Sequence, residues 1–390
     1  MEFQKTNLGE LSVNGKGSYG IAASAVPYSD ELFTYLRITD INDDGTLNKS
    51  GLMSVSDEKA EQYLLKPNDI VFARTGGSTG RSYFYDGTDG EFVYAGFLIK
   101  FSIDSTKVNP RFIKYYCLSQ EYRGWVHSFN TGSTRGNINA QTYANMPILL
   151  PSREQQDLLV DTLSVIDEKI KLNTAINENL LEQLHLLYLR IFCDSAMDTP
   201  LGDVVATTSG GTPSRKHDEY YSDSSICWVK SKELLGNYIH ETEEHINDLA
   251  VKKSSAKLLP EHSVLIAMYG ATVGAYGVIS KPMTCNQAVC ALLCNQDYPY
   301  TYLFQIAYES QQKLINLAVG SAQQNISQVL IKQLNLHSDL DIIQKFHNLA
   351  FPIHKEIESL QAENIRLSTL RYNLLPKLMN GEIDVSAVQV

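Results

Sequence analysis

The side chains best suited to chemistry lie in polar, glycine-containing loops. Arg74-Thr75-Gly76-Gly77-Ser78-Thr79-Gly80-Arg81 follows an apolar run and offers two guanidiniums, three hydroxyls and exposed backbone amides. Such groups bind phosphate oxygens and guanine edges, so Arg74, Thr75, Ser78, Thr79 and Arg81 are candidate DNA contacts. A tight turn joining two strands is the other reading of the same residues. Further on, Arg135, Asn137 and Asn139 could read bases through guanidinium and amide, or form a solvated loop. In the second half of the chain Lys230 and Lys232 lie just beyond Trp228, Tyr269 and Thr272 flank a second glycine turn, and Gln323, Gln324 and Asn325 supply amides. A solvated strand edge also accounts for the lysine pair.

Catalytic patterns are missing. Gly15-Lys16-Gly17-Ser18 lacks the first glycine of a phosphate-binding loop and the helix that should follow it, which argues against ATP hydrolysis. There is no Asn or Asp followed by Pro-Pro and an aromatic, as adenine methylation needs, and no H-E-x-x-H. Cys285, Cys290 and Cys294 are close enough to suggest a metal cluster, but they sit in an apolar, strand-like run where buried free thiols are expected. No catalytic or metal-binding residue is therefore assigned.

The elements that must hold these loops come from an internal repeat. Leu8-Gly9-Glu10 recurs as Leu201-Gly202-Asp203, and Lys66-Pro67-Asn68-Asp69-Ile70-Val71 as Leu259-Pro260-Glu261-His262-Ser263-Val264, both offset by 193. Gly76 to Gly80 matches Tyr269 to Gly274 loosely, and Gly132 to Ile138 matches Gly320 to Ile326 at an offset of 188. Each copy has short β-rich runs, such as Tyr35 to Ile38, Ile70 to Ala73 and Val264 to Ala267, and then a helix-like stretch, Phe112 to Tyr122 and Tyr302 to Leu317. An α+β domain fits each copy. Shared plan with different loop residues suits two modules that read different targets.

Each copy closes with a long helix. Leu159, Leu163, Ile166, Ile170, Leu180, Leu184, Leu187 and Ile191 follow the 4-3 alternation of a heptad, with Asn173 and Asn177 in the same seam. In the second copy Phe346, Ile353, Leu360, Leu367 and Leu374 sit seven apart, with Ala350, Ile357, Asn364, Arg371 and Leu378 between them. About 40 residues at ~1.5 Å each make a rod of roughly 60 Å. Antiparallel pairing that sets Leu159 against Leu378 brings Asn173 to Asn364, and a buried amide layer fixes register at some cost in stability. Pro352 should kink the second helix or delay its start. The expected fold is α+β, with two similar globular domains (1–150 and 195–338) separated by two long helices (151–194 and 339–383) packed as an antiparallel coiled coil with pseudo-two-fold character, and a polar tail (384–390).

Composition sets the outer limits. The 390 residues are 43% hydrophobic and 20% charged, as in folded proteins, and too many for one compact core. No apolar run approaches the ~20 residues that cross a bilayer, so the cytoplasm is expected, with the six cysteines reduced. The net charge of −11 is spread over every segment: residues 1–150 carry 14 basic and 16 acidic groups, and 195–338 carry 10 and 13. A chain like this attracts DNA weakly on its own, so a partner subunit should supply most of the phosphate neutralisation.

The order domain, long helix, domain, long helix resembles the specificity subunit of type I restriction-modification systems. The residues that carry the likeness are Leu8-Gly9-Glu10, Leu201-Gly202-Asp203, Gly210-Gly211-Thr212-Pro213-Ser214, Gly270 to Gly274, Pro151-Ser152-Arg153-Glu154-Gln155-Gln156 and Leu375 to Ile383. The resemblance implies two target-recognition domains reading the halves of a split site in double-stranded DNA, and helices that set the spacer and dock two modification subunits. It further implies S-adenosylmethionine, ATP and Mg on partner subunits only, with cleavage by a separate restriction subunit. The first copy lacks the Gly-Gly-Thr-Pro-Ser loop, and the second helix lacks the Pro and Glu-Gln landmarks. The alternatives are a coiled-coil scaffold and a stand-alone DNA-modifying enzyme.

Overall fold

The computed structural model describes residues 3–129, 136–318 and 325–383. The chain forms two compact units, residues 1–169 with 367–390, and residues 170–366. Each unit therefore takes a globular domain together with part of both long helices. No described helix is long and apolar enough to cross a membrane.

In the first unit the strands Ser18–Tyr19, Leu98–Ser102, Asp69–Ala73 and Ser82–Tyr85 form one sheet in that order. Ala25–Val26, Met53–Val55, Phe33–Leu36 and Phe92–Tyr94 form another, and Gln4–Asn7 pairs with Pro147–Leu150 to bring the ends of the domain together. Asp69–Ala73 is buried along its whole length, as a central strand flanked on both sides must be. Its one carboxylate, Asp69, is satisfied by Lys100 Nζ at 3.0 Å and Ser102 Oγ at 2.6 Å. The helix expected over Phe112 to Tyr122 is two helices, Pro110–Tyr116 and Gln120–His127. Asn109 caps the first, with proline at its first turn, and Ser119 caps the second through Tyr122 N. That second cap restarts the helix, a signal apolar periodicity passes over.

The second unit has a five-stranded sheet, Ala206–Ser209, Val289–Leu293, Val264–Ala267, Tyr276–Ile279 and Asn237–Ile239, and a three-stranded one, His245–Ile246, Ile226–Val229 and Thr284–Cys285. Met197–Pro200 pairs with Asn335–His337, as Gln4–Asn7 does with Pro147–Leu150. The two copies match in hydrogen bonding but at an offset of 194 through the central strands. Asn68 and His262 both adopt positive φ (75° and 63°), and their amides donate to Tyr85 O and Ile279 O. Aligning Pro67 with Pro260 is thus one residue out, because the left-handed turn ahead of the strand, not the proline, sets its register.

The first long helix runs Arg153–Phe192 and the second Leu340–Met379. The second is unbroken at Pro352, which is exposed, as is Asn348, whose carbonyl loses its helical donor there and can turn to water. In the first unit Leu159, Leu163, Leu375 and Leu378 pack in one core with Phe72, Phe112 and Tyr143. Asp167 is half-buried there between Lys114 Nζ (2.6 Å), Tyr115 Oη (3.0 Å) and Arg371 Nη1 (2.7 Å). Burial works to raise the Asp167 carboxyl, but the two cations outweigh it and hold it below the usual range.

In the second unit Leu184, Tyr188 and Phe192 pack with Ile343, Phe346, Ala350 and Ile357 and with the domain core. The helix segments are antiparallel there: the rings of Phe192 and Phe346 lie 5.7 Å apart, while Asn173 Nδ2 donates to Asn364 Oδ1 at 2.9 Å. Asn173 also donates to Glu363 Oε2 at 2.7 Å, and Asn364 Nδ2 to Thr174 Oγ1 at 3.3 Å. Along the seams Ile166 and Leu360 are buried, whereas Ile170, Leu180, Ile353, Leu367 and Leu374 are half-buried.

Candidate nucleic-acid interface

Both units build the same loop pair. In the first, the chain leaves Asp69–Ala73, turns through Gly76 (φ 78°) and Gly80 (φ 88°), and enters Ser82–Tyr85. In the second it leaves Val264–Ala267, turns through Gly270 (φ 71°) and Gly274 (φ 81°), and enters Tyr276–Ile279. Only glycine takes both positions without strain, and a Cβ at Gly80 would lie 2.4 Å from Val126 Cγ1. A second segment docks beside each turn. Thr75 bridges Asn137, and Ile138 N donates to Arg74 O; Tyr269 bridges Asn325, and Ile326 N donates to Met268 O. Residues far apart in sequence thus meet in the same way twice.

The candidate residues divide sharply by what else they do. Ser78 is buried, and Thr79 Oγ1 donates to Gly76 O (2.8 Å) and Gly136 O (3.0 Å), tying the turn to its neighbour. Arg81 is held by Asp43, with Nε at 2.7 Å and Nη2 at 3.3 Å, and by Ile41 O, so its charge is already answered. Asn139 caps the helix Ala140–Ala144, its Oδ1 accepting from Thr142 N at 2.8 Å. These four side chains have structural duties that local sequence did not reveal. Arg74 is half-buried with its guanidinium 5.1 Å from the Tyr19 ring centre, and its Nε has no partner among the described residues. Asn137 is exposed; Arg135 lies outside the described residues.

In the second unit Tyr269 and Asn325 are exposed, and Thr272 Oγ1 turns back to Tyr269 O at 3.1 Å. Gln323 and Gln324 lie outside the described residues. Lys230 pairs with Glu244 and Lys232 with Glu243, so neither lysine presents an unopposed charge. Arg215 also pairs with Glu244 and stacks over Tyr221 (4.2 Å) and Trp228 (5.6 Å). Hydrogen bonds from Lys230 and Arg215 hold the Glu244 carboxyl low, and Lys232 does the same for Glu243. Arg215 directly follows the Gly210 to Ser214 run, which is its only sequence signal.

Cys285, Cys290 and Cys294 are free, and burial pushes each thiol up to about 12. Cys285 and Cys290 pack into different cores, so the three do not converge. A different set does among the described residues: Cys227, Glu241 and His245 place a sulfur, an oxygen and a nitrogen within 4.8 Å of one another.

The chain matches a family model, the type I restriction modification DNA specificity domain, over residues 6–182 and 196–338. It is 22% identical over 403 aligned positions to the HindI type I restriction enzyme specificity subunit of Haemophilus influenzae, covering 82% of this chain and 87% of that one. It is 24% identical over 311 positions to the MjaIX specificity subunit of Methanocaldococcus jannaschii, covering 71% and 70%. The fold is similar to the crystal structure of a type I restriction-modification S subunit from M. genitalium, with a TM-score of 0.55, 13% identity, and coverage of 97% and 96%.

Proposed function

The chain belongs to the type I restriction-modification DNA specificity family, and on that footing we propose that each of its two recognition domains reads one half of a split DNA sequence. It is a specificity subunit: its function is recognition of DNA sequence, and catalysis belongs to the subunits with which it assembles. The long helices set the spacer between the half-sites and dock two modification subunits, in the cytoplasm. S-adenosylmethionine, ATP and Mg are bound by partner subunits.

The observation that carries this reading is the repeated pairing of a glycine turn with a second loop, Thr75 with Asn137 and Tyr269 with Asn325. An exposed amide such as that of Asn137 or Asn325 can bond N6 and N7 of adenine together in the major groove, which is a base-specific contact. The cations nearby support the same division. Arg81, Lys230, Lys232 and Arg215 each face a carboxylate, so this chain gives up little net charge to phosphate and contributes mainly selectivity.

The test is to map methylated adenines in a host genome with the intact gene, without it, and with Asn137→Ala or Asn325→Ala. Loss of the gene should abolish one split methylation motif. Each variant should relax one position in one half only, by about 1–3 kcal/mol of base discrimination. A motif that survives gene loss, or a variant that alters both halves together, contradicts the assignment.

A further inference from the structure

We propose that Cys227, Glu241 and His245 form a binding site for one zinc-class divalent ion in the second recognition domain. The strand Ile226–Val229 pairs antiparallel with His245–Ile246, and this places Cys227 directly across from His245. The connecting chain brings in Glu241. Its Oε1 accepts from Cys227 Sγ at 3.0 Å and lies 2.5 Å from His245 Nε2, so thiol and imidazole converge on a single carboxylate oxygen. The other oxygen, Oε2, takes Lys281 Nζ at 3.2 Å. In a tetrahedral zinc site with ordinary bond lengths the donor atoms stand about 3.4–3.6 Å apart. The three donors here already lie within 4.8 Å, so small side-chain rotations suffice.

Donor chemistry selects the ion. One sulfur, one imidazole nitrogen and one carboxylate oxygen favour zinc and cobalt over magnesium and calcium, and three protein ligands leave a fourth position for water. The carboxylate is ready: burial works to raise Glu241, but bonds from Cys227, His245 and Lys281 outweigh it and hold the group at about 2. The thiol is not, since burial and the Glu241 hydrogen bond both push Cys227 up. Ion binding therefore releases the thiol proton, and affinity should climb with pH. Lys281 is the local competitor, an ammonium with 47% of its side chain exposed. An ion here would pin the segment that continues into Glu243 and Glu244, the carboxylates that hold Lys232, Lys230 and Arg215.

The site is independent of the DNA-reading assignment and is tested without DNA. The full chain carrying Cys193→Ser, which removes the one exposed thiol, is titrated with Co²⁺ while the near-ultraviolet sulfur-to-cobalt charge-transfer band is followed. Metal content is measured after dialysis against Zn²⁺. One equivalent should bind with a thiolate band; Cys227→Ser should abolish the band, His245→Gln should weaken binding more than about tenfold, and Lys281→Met should tighten it. Absence of a thiolate band, or an unchanged band in folded Cys227→Ser, overturns the proposal. Should Cys227→Ser fail to fold, the solvent-reachable variants decide: unchanged affinity in both His245→Gln and Lys281→Met overturns it as well.

Discussion

His354 shows how a single side chain can tie stability to pH. It lies on the second long helix, 1% exposed, with Nδ1 2.8 Å from Tyr238 Oη and the Phe304 ring edge-on at 5.2 Å. Burial, reinforced by His347 and His262, lowers its pKa to about 3, whereas a histidine in the unfolded chain titrates near 6.5. Above about 6.5 both states are neutral and the full stability is present. As the pH falls from there toward 3, the unfolded chain takes up a proton that the folded chain refuses, and stability declines. Chemical denaturation at stepped pH should show the wild type losing up to about 1.4 kcal/mol per pH unit more than His354→Gln over that window. Parallel curves for the two proteins would rule the linkage out. The histidine itself is plain in the sequence, but its position in the helical pattern does not say that Tyr238, 116 residues away, closes over it. The same limit applies to the candidate DNA contacts. Thr75, Asn137, Tyr269 and Asn325 keep exposed or half-exposed positions on the paired loops, while Arg81 is claimed by Asp43 and Asn139 by a helix end.

Among the elements, the long helices were the most legible, because a seven-residue repeat of apolar side chains has few other physical explanations. The amide layer was legible for the same reason, since seam arithmetic alone puts Asn173 opposite Asn364. What spacing could not reveal was that Glu363 also takes a hydrogen from Asn173, or that Asn173 Oδ1 stays buried without a partner among the described residues. This layer therefore costs stability within its unit and favours one register. Asn173→Leu should destabilise the protein by about 1–3 kcal/mol, because it strands the polar partners on the facing helix. Asn173→Leu combined with Asn364→Leu should recover most or all of that loss. Urea midpoints of the two single variants and the double variant measure the coupling; simple additivity of the losses would mean that the pair does not act as a layer. The loops were less legible than the helices. Alignment of Pro67 with Pro260 missed the true register by one residue, because the positive φ of Asn68 and His262 leaves no compositional mark in residues of such different type.

For the whole molecule, the duplicated plan predicts modular behaviour. Replacing residues 1–150 with the equivalent residues of a related chain should change one half of the methylated motif and leave the other half and the spacer intact, as read from genome-wide methylation. Simultaneous change in both halves would break the modular account. The sequence by itself determined the duplication, the heptad seams, the turn glycines and the want of a catalytic signature, since each is a matter of residue type at short, regular spacing. Tertiary structure alone decided which polar groups remain available, which thiols stay apart, and that Cys227, Glu241 and His245 come together. The reason is that availability depends on the nearest partner in space. In a folded chain that partner is often a carboxylate or ring dozens of residues away, at a separation that no local pattern encodes.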